Sequence, residues 1–269
     1  MEAYLDNSAT TRVDAQVQEL MKKLMDVDFG NPSSRHQKGV VAEGYIKEAR
    51  QKIAATLKVD PKELIITSGG TESNNMALIG TALAAKRKGN HIITTAVEHP
   101  SVKATASFLE EQGFRITFLS VDSRGQISLE DLKEALTPDT ILVSIMYVNN
   151  EIGSIQPIEA LVKLVKAHNP QTLVHVDAVQ AYGKLKFTPK QLGVDLLSVS
   201  GHKIHGPKGS GALYIKDKTL IRPIIYGGGQ QNFMRSGTEN LPGIAGMGLA
   251  AEMIYTCLLY TSPSPRDRQ

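Results

Sequence analysis

From about residue 60 onward, short runs rich in β-branched and apolar residues alternate with longer amphipathic segments. The short runs are residues 63–68, 91–97, 115–121, 140–148, 172–177, 195–200 and 211–216. Alternation of this kind is typical of a mainly parallel sheet with helices on both faces. Ligands bind such sheets beyond the carboxyl ends of the strands. We therefore predict an α/β fold with a mainly parallel, mixed sheet flanked by helices, and a ligand site at that edge.

Two further helices are predicted before the alternation begins. Residues 13–27 and 39–57 have amphipathic spacing, and the turn-rich segment FGNPSSRH separates them. Near the other end, LPGIAGMGLAAEMIY (residues 241–255) predicts a helix rich in small residues. The following segment, TCLLYTSPSPRDRQ (residues 256–269), abandons this pattern, and we interpret it as an atypical tail, foreign or disordered.

The charge and cysteine content exclude several classes of protein. The net charge is only +3, and the basic residues are interspersed with acidic ones, so no direct nucleic-acid partner is expected. No apolar run reaches the ~18 residues of a membrane span, and the start lacks signal-peptide features, so we expect a cytoplasmic protein without a membrane partner. The single cysteine cannot form an internal disulfide or a cysteine-based zinc site.

Polar residues follow several predicted strands at the edge where a ligand is expected. Gly70 and Thr71 open a helix, where backbone amides favour a phosphate, although an ordinary helix start would use the same residues. Asn150 follows the fourth predicted strand, and a plain turn is the alternative there. Asp177 ends an apolar strand, where a buried carboxylate needs a cationic partner; simple exposure is its alternative.

The segment SVSGHKIHGPKGSG places Lys203 between two histidines. It is compatible with a metal site on His202 and His205, a phosphate-binding glycine loop, a lysine that attacks a carbonyl, or a solvated turn. His99 lies at another strand end, where a structural role is the alternative. A phosphate cradle, a strand-end aspartate, an imidazole and a lysine together fit pyridoxal phosphate better than they fit a metal.

A set of motifs supports this interpretation, and they are YLDNSATT, FGNPSSRH, GGTESNN, VEHPSV, VNNEIG, HVDAVQ, SVSGHKIHGPKGSGALYI, GGGQ and RSGTEN. From about residue 3 to about residue 255, the chain resembles cysteine desulfurases of the NifS/IscS type, in the class V aminotransferase family of fold-type I pyridoxal-phosphate enzymes. The resemblance implies an N-terminal segment (1–15), a large pyridoxal-phosphate-binding domain (16–255) and a C-terminal small domain that is largely missing.

The resemblance also implies roles for residues around the ring of the cofactor. Lys203 would attach the cofactor covalently, and Asp177 would pair with its pyridine nitrogen. His99 would stack on the ring and move protons. Asn150 and Gln180 would form hydrogen bonds to the phenolic oxygen of the ring.

The phosphate of the cofactor would be bound by a second group of residues. Gly70 and Thr71 would bind it at the helix start, and Ser200 and His202 would contact it from the lysine segment. Thr238 would reach the phosphate of the neighbouring subunit, which implies a homodimer with shared sites. No metal site is expected.

The implied reaction removes sulfur from L-cysteine, giving alanine and a persulfide on an enzyme cysteine. An iron–sulfur scaffold protein or a tRNA-thiolating enzyme would then accept the sulfur. Related enzymes carry that cysteine, and an arginine for the substrate carboxylate, in a later part of the chain. Cys257 lies in the atypical tail and is not expected to be the nucleophile, so the chain is predicted to be an inactive fragment.

Other functions remain open from the sequence alone. Another class V enzyme, such as an aminotransferase or a selenocysteine lyase, would use the same cofactor residues. A non-catalytic dimerising fragment would conserve the fold without turnover. A metal oxygenase would use His175 and Asp177 with His202 or His205, but such sites usually lie on antiparallel barrels.

Overall fold

The computed structural model describes residues 3–260, and the side chains of residues 3–256. Its strands are β1 (Leu64–Thr67), β2 (His91–Thr95), β3 (Arg115–Leu119), β4 (Thr140–Met146), β5 (Leu173–Asp177), β6 (Leu196–Ser200) and β7 (Gly211–Ile215). They form one seven-stranded sheet in the order β1-β7-β6-β5-β4-β2-β3. In this sheet β7 is antiparallel to β1 and β6, and the remaining pairs are parallel.

Helices cover both faces of the sheet. They are α1 (Ala15–Asp26), α2 (Gln37–Leu57), α3 (Gly70–Ala85), α4 (Pro100–Glu111), α5 (Leu129–Ala135), α6 (Ile158–His168), α7 (Pro189–Leu192) and α8 (Leu241–Tyr260). Helices α3 and α4 pack on one face, and the other helices contribute to a larger apolar core on the opposite face. The predicted α/β fold with a mainly parallel, mixed sheet is therefore confirmed.

The central strands are buried on both faces, as their continuous apolar sequences predict. The edge strand β3 differs, because Arg115 and Phe118 are exposed there. All seven predicted strands are present, but several end before the predicted residue. After β1, β2 and β4 the chain turns into loops that line the ligand edge, whereas β7 runs antiparallel and ends at the opposite edge.

The chain termini are only partly described. Residues 8–14 pack against the segment after β6, since Thr11 N donates to the His202 carbonyl at 2.9 Å. The predicted helix over residues 241–255 is confirmed, and it continues to Tyr260. Residues 261–269 lie outside the described residues, so the predicted division at residue 255 and the character of the tail stay predictions. Among the described residues, no helix is both long and apolar enough to cross a membrane.

Candidate functional site

A pocket of about 210 Å³ lies at the carboxyl ends of the parallel strands. Nine of the predicted site residues line it: Gly70, Thr71, His99, Asn150, Asp177, Gln180, Ser200, His202 and Lys203. Thr238 does not line this pocket; it is exposed in the loop before α8. The topology thus gathers residues that are far apart in the sequence, while their individual roles stay predictions.

A larger groove of about 710 Å³ lies between α2, the end of α8 and residues 186–191. Its central lysine, Lys52, is already paired with Glu48 and Glu252, at 2.9 and 3.0 Å. The strand-end pocket instead places a lysine near an aspartate that has no direct ion pair among the described residues. The smaller pocket is therefore the stronger candidate for chemistry.

Lys203 ends a single 3₁₀ turn, Gly201–Lys203, that directly follows β6. Its Nζ donates to the carbonyl oxygens of Ser8 and Ala9, the second at 2.8 Å. Burial lowers the pKa of Lys203, and the charges of Asp177 and Asp6 oppose that shift. A lowered pKa makes the neutral, nucleophilic amine more accessible, as attack on a carbonyl requires.

Asp177 is the last residue of β5 and is only 5% exposed. Its Oδ1 accepts from the backbone N–H of Val179 at 3.0 Å, and its Oδ2 accepts from Nδ2 of Asn74 at 2.7 Å. Burial raises the pKa of Asp177, while these hydrogen bonds and the charge of Lys203 lower it. A cation in the pocket would therefore be attracted to a carboxylate that has little water around it.

The start of α3 provides the backbone surface expected of a phosphate site. Gly69, the residue before the helix, has φ +150°, which favours glycine. A Cβ on Gly70 would lie 2.6 Å from Cγ2 of Val179, so only glycine lets the helix begin this close to the pocket. The amides of the first turn, with Thr71, consequently face an open edge where an anion is favoured.

Ser200 and His202 lie across the pocket from the start of α3. Nδ1 of His202 is 3.1 Å from Oγ1 of Thr10. Burial, followed by the charge of Lys203, lowers the pKa of His202 to about 4. His202 is therefore neutral near pH 7, and it can offer an N–H to an anion without carrying charge.

Gln180 is tied to its surroundings at both ends of its side chain. Its Nε2 donates to the Ser8 carbonyl at 2.9 Å, and its Oε1 accepts from Nζ of Lys184 at 2.9 Å. Asn150 lines the pocket, whereas its neighbour Asn149 is buried and bonds to the backbone. Of the two adjacent asparagines, Asn150 is therefore the one available to a ligand.

The histidines considered for a metal site do not converge. His175 is fully buried between Ser144 and Ser198, at 2.8 and 2.9 Å, and burial lowers its pKa to about 3. His205 has φ +62° and contacts the Arg12 carbonyl, away from His202. Within the described residues, no group of three or more His, Cys, Asp and Glu side chains could hold a metal ion.

Three polar residues near the pocket were missed by sequence analysis. Asn74 and Ser101 line the pocket, and Glu98 is buried immediately before His99. Asn74 lies within a helix-like run and Ser101 follows a proline, so both resemble ordinary helix residues in sequence. Fully buried carboxyl groups are rare, so the burial of Glu98 marks it as unusual. That burial is visible only in the structure, and the sequence alone does not distinguish Glu98 from an exposed glutamate.

The buried carboxyl group of Glu98 should make the stability of the fold depend on pH. Its Oε1 accepts from Oγ1 of Thr95 at 2.7 Å and from the N–H of Met146 at 2.9 Å, and its Oε2 has no partner. Burial raises the pKa of Glu98 to about 8, so the native state keeps a proton that the unfolded chain loses from about 4.5 upward. The contribution of Glu98 to the free energy of unfolding is therefore fully present below about pH 4.5 and is lost as the pH rises toward 8.

We therefore expect Glu98→Gln to be more stable than the parent chain at pH ~8, by about 4 kcal/mol, and to match it near pH ~4.5. Urea unfolding at both pH values measures the difference. Glu111→Gln, which changes an exposed carboxylate at the end of α4, serves as the control and should not alter the pH dependence. Equal pH slopes for Glu98→Gln and the parent would show that Glu98 is ionised in the native state.

Comparison with known proteins identifies the family. The profile of the family described as "Aminotransferase class-V" matches residues 3–260. The chain belongs to the class-V aminotransferase family. Because class-V aminotransferases and cysteine desulfurases depend on pyridoxal phosphate, the predicted cofactor is also confirmed.

The relatives within this family resemble the predicted subgroup. The chain is 52% identical over 252 residues to "Cysteine desulfurase IscS" of Dictyoglomus turgidum, covering 94% of this chain and 64% of the relative. A solved "NIFS-LIKE PROTEIN" superposes with a TM-score of 0.94 at 46% identity, covering 97% of this chain and 71% of the other. "SspA in complex with cysteine" superposes with a TM-score of 0.88 at 42% identity, covering 93% of this chain and 72% of the other. The resemblance to NifS/IscS-type proteins is confirmed, and the chain spans less than two thirds of the IscS relative's length.

Proposed function

We propose that this class-V aminotransferase chain forms the pyridoxal-phosphate-binding part of a cysteine desulfurase. The observation that carries the proposal is the placement of Lys203 and Asp177 in one pocket with the start of α3. These groups meet three separate needs of the cofactor: an amine for its aldehyde, an acid for its ring nitrogen and amides for its phosphate. In the larger groove between α2 and α8, the amine of Lys52 is instead paired with Glu48 and Glu252.

Different residues of the pocket are assigned to different parts of the cofactor. Lys203 would attach it, and the buried Asp177 would hold a proton on its ring nitrogen. When bound, pyridoxal phosphate supplies a ring that withdraws electrons from the α-carbon of an amino acid. Asn150 and Gln180, which line the pocket, would bind the phenolic oxygen, and His99 would lie against the ring and move protons.

The phosphate is assigned to the opposite end of the pocket. Gly70 and Thr71 present the first-turn amides and a hydroxyl, and Ser200 at the end of β6 and neutral His202 just after it add donors. The exposed Thr238 does not line this chain's pocket, which supports its assignment to the phosphate site of a neighbouring subunit. The proposal therefore includes a homodimer.

L-cysteine is proposed as the substrate because the relatives are named cysteine desulfurases and a similar protein was solved with cysteine. We further propose that the protein is cytoplasmic and gives its sulfur to an iron–sulfur scaffold or a tRNA-thiolating enzyme. Cys257 is the one cysteine of the 269 residues, and its side chain lies outside the described part of the chain. The described residues are therefore assigned cofactor binding and proton transfer, and not the attack on sulfur.

The proposal is tested by mixing the 269-residue chain with pyridoxal phosphate and then with amino acids. We expect L-cysteine to change the visible absorbance of the bound cofactor, with substoichiometric formation of alanine. The expectation follows because the pocket can bind the cofactor and an amino group, whereas no described side chain is a sulfur nucleophile.

Other outcomes would point elsewhere. A response to selenocysteine or to a keto acid, but none to cysteine, would replace desulfuration with another class-V reaction. Sustained alanine production with a persulfide on Cys257 would contradict the expectation that Cys257 is not the sulfur nucleophile. Absence of any bound cofactor at saturating concentration would overturn the proposed function itself.

A further inference from the structure

Asn74 connects two residues of the pocket through a single side-chain amide. Asn74 is 1% exposed, and its Nδ2 donates to Oδ2 of Asp177 at 2.7 Å and to Oγ of Ser101 at 2.9 Å. Both hydrogens of the amide are used by these two bonds. The side chain therefore links β5 to the first turn of α4, although the two elements are far apart in sequence.

Ser101 continues this link to His99. Its Oγ lies 2.8 Å from Nδ1 of His99, and its backbone N–H donates to the same nitrogen at 3.1 Å. Because a backbone N–H can only donate, Nδ1 must present a lone pair. Because Asn74 already donates to the Ser101 oxygen, the hydroxyl hydrogen of Ser101 is free to donate to Nδ1 as well. The neutral His99 ring then carries its proton on Nε2.

The position of the Asp177 carboxyl oxygen sets the direction of these bonds. In the arrangement described, Oδ1 of Asn74 is buried without a partner. Turning the amide over would pair Oδ1 with Ser101, but it would also place Oδ1 against the oxygen of Asp177. An ionised Asp177 opposes that turn, and an ionised Asp177 is also what a protonated ring nitrogen requires.

We propose that Asn74 and Ser101 are positioning residues that bridge Asp177 and His99. The bridge holds the Asp177 carboxylate in the pocket and fixes the proton of neutral His99 on Nε2. Its role toward pyridoxal phosphate rests on the proposed function, whereas the bridge itself exists in the chain alone. Under that function, one series of hydrogen bonds orients both Asp177 and His99, the two side chains assigned to the ring of the cofactor.

The tautomer of His99 is measurable without any cofactor. Nitrogen NMR on the cofactor-free chain labelled at histidine distinguishes a protonated from an unprotonated ring nitrogen, and His99→Gln identifies the His99 signals. We expect the Nε2–H tautomer in the parent chain. In Ser101→Ala, loss of one of the two donors to Nδ1 should raise the Nδ1–H fraction about three- to tenfold. Ser101→Thr keeps the hydroxyl and should restore the parent ratio.

Ser107→Ala is the matched control, because it removes an exposed hydroxyl from the same helix and should leave the tautomer ratio unchanged. A predominant Nδ1–H tautomer in the parent chain would overturn the bridge. So would a Ser101→Ala ratio equal to that of the parent.

The connection to Asp177 is tested by the affinity for pyridoxal phosphate. Asn74→Leu removes a charge-assisted hydrogen bond to Asp177 and should weaken binding about tenfold. Asn75→Leu, which removes the next amide along the same helix, should bind as the parent does. Equal affinities for Asn74→Leu and the parent would contradict the bridge. If no variant binds the cofactor while the NMR results hold, the proposed function fails and the bridge stands.

Discussion

Replacing Lys203 with alanine is expected to abolish covalent attachment of pyridoxal phosphate to the chain. Lys203 is the one lysine that lines the strand-end pocket described here, and burial lowers the pKa of its amine. Without that amine, the cofactor has no nucleophile for its aldehyde and is held by hydrogen bonds and charge alone. The measurement is the cofactor retained by the protein after reduction with borohydride and denaturation, which should fall to background.

Lys190→Ala provides the control for this experiment. Lys190 is an exposed residue of α7, outside the pocket, and its replacement should leave attachment at the parent level. The loss in Lys203→Ala must occur with the fold intact, which circular dichroism and thermal unfolding can show. Attachment in Lys203→Ala at half the parent level or more would mean that another lysine carries the cofactor.

Asp177→Asn is expected to change cofactor affinity and stability in opposite directions. Removing the buried charge opposite a protonated ring nitrogen should weaken binding of pyridoxal phosphate about a hundred- to a thousandfold, or roughly 3–4 kcal/mol. Burial raises the pKa of Asp177, so its stabilising effect is complete below the unfolded value of 3.8 and is lost as the pH rises. At neutral pH the cofactor-free Asp177→Asn chain should therefore be more stable than the parent chain.

Cofactor titration and urea unfolding measure the two effects separately. Asp139→Asn, which replaces an exposed aspartate just before β4, should alter neither. A parallel loss of both affinity and stability in Asp177→Asn would show that Asp177 supports the fold. An unchanged affinity of Asp177→Asn for pyridoxal phosphate would show that Asp177 does not contribute to cofactor binding.

The fold was predictable because its signals are local. The spacing of apolar residues identified the seven strands, and a glycine pair after β1 marked the start of α3. The ends of strands were less predictable, since the residues beyond them, such as Tyr147 and Val148 after β4, are as apolar as the strand itself. Tyr147 still donates its N–H to the Asp177 carbonyl of β5 at 2.9 Å, but its own carbonyl accepts from the N–H of Gln156 at 2.9 Å. Val148 pairs with Ile155 in the same loop, so the chain has turned away from the sheet there.

The site was predictable in part, for a physical reason. Lys203, Asp177 and His99 follow strands, and parallel strands bring their carboxyl ends together, so their convergence follows from the topology. The contacts of Asn74 could not be predicted in this way, because they depend on the packing of α3 against β5 and α4. The same holds for the carbonyls of Ser8 and Ala9, which reach Lys203 from the other end of the chain.

We propose that the strand-end pocket binds pyridoxal phosphate through Lys203. Borohydride reduction of the parent 269-residue chain with pyridoxal phosphate, followed by proteolysis and peptide mass spectrometry, locates the attached cofactor directly. We expect one modified peptide, containing Lys203, at close to one cofactor per chain. Modification spread over exposed lysines, or concentrated on a lysine of the groove between α2 and α8 such as Lys52, would contradict it.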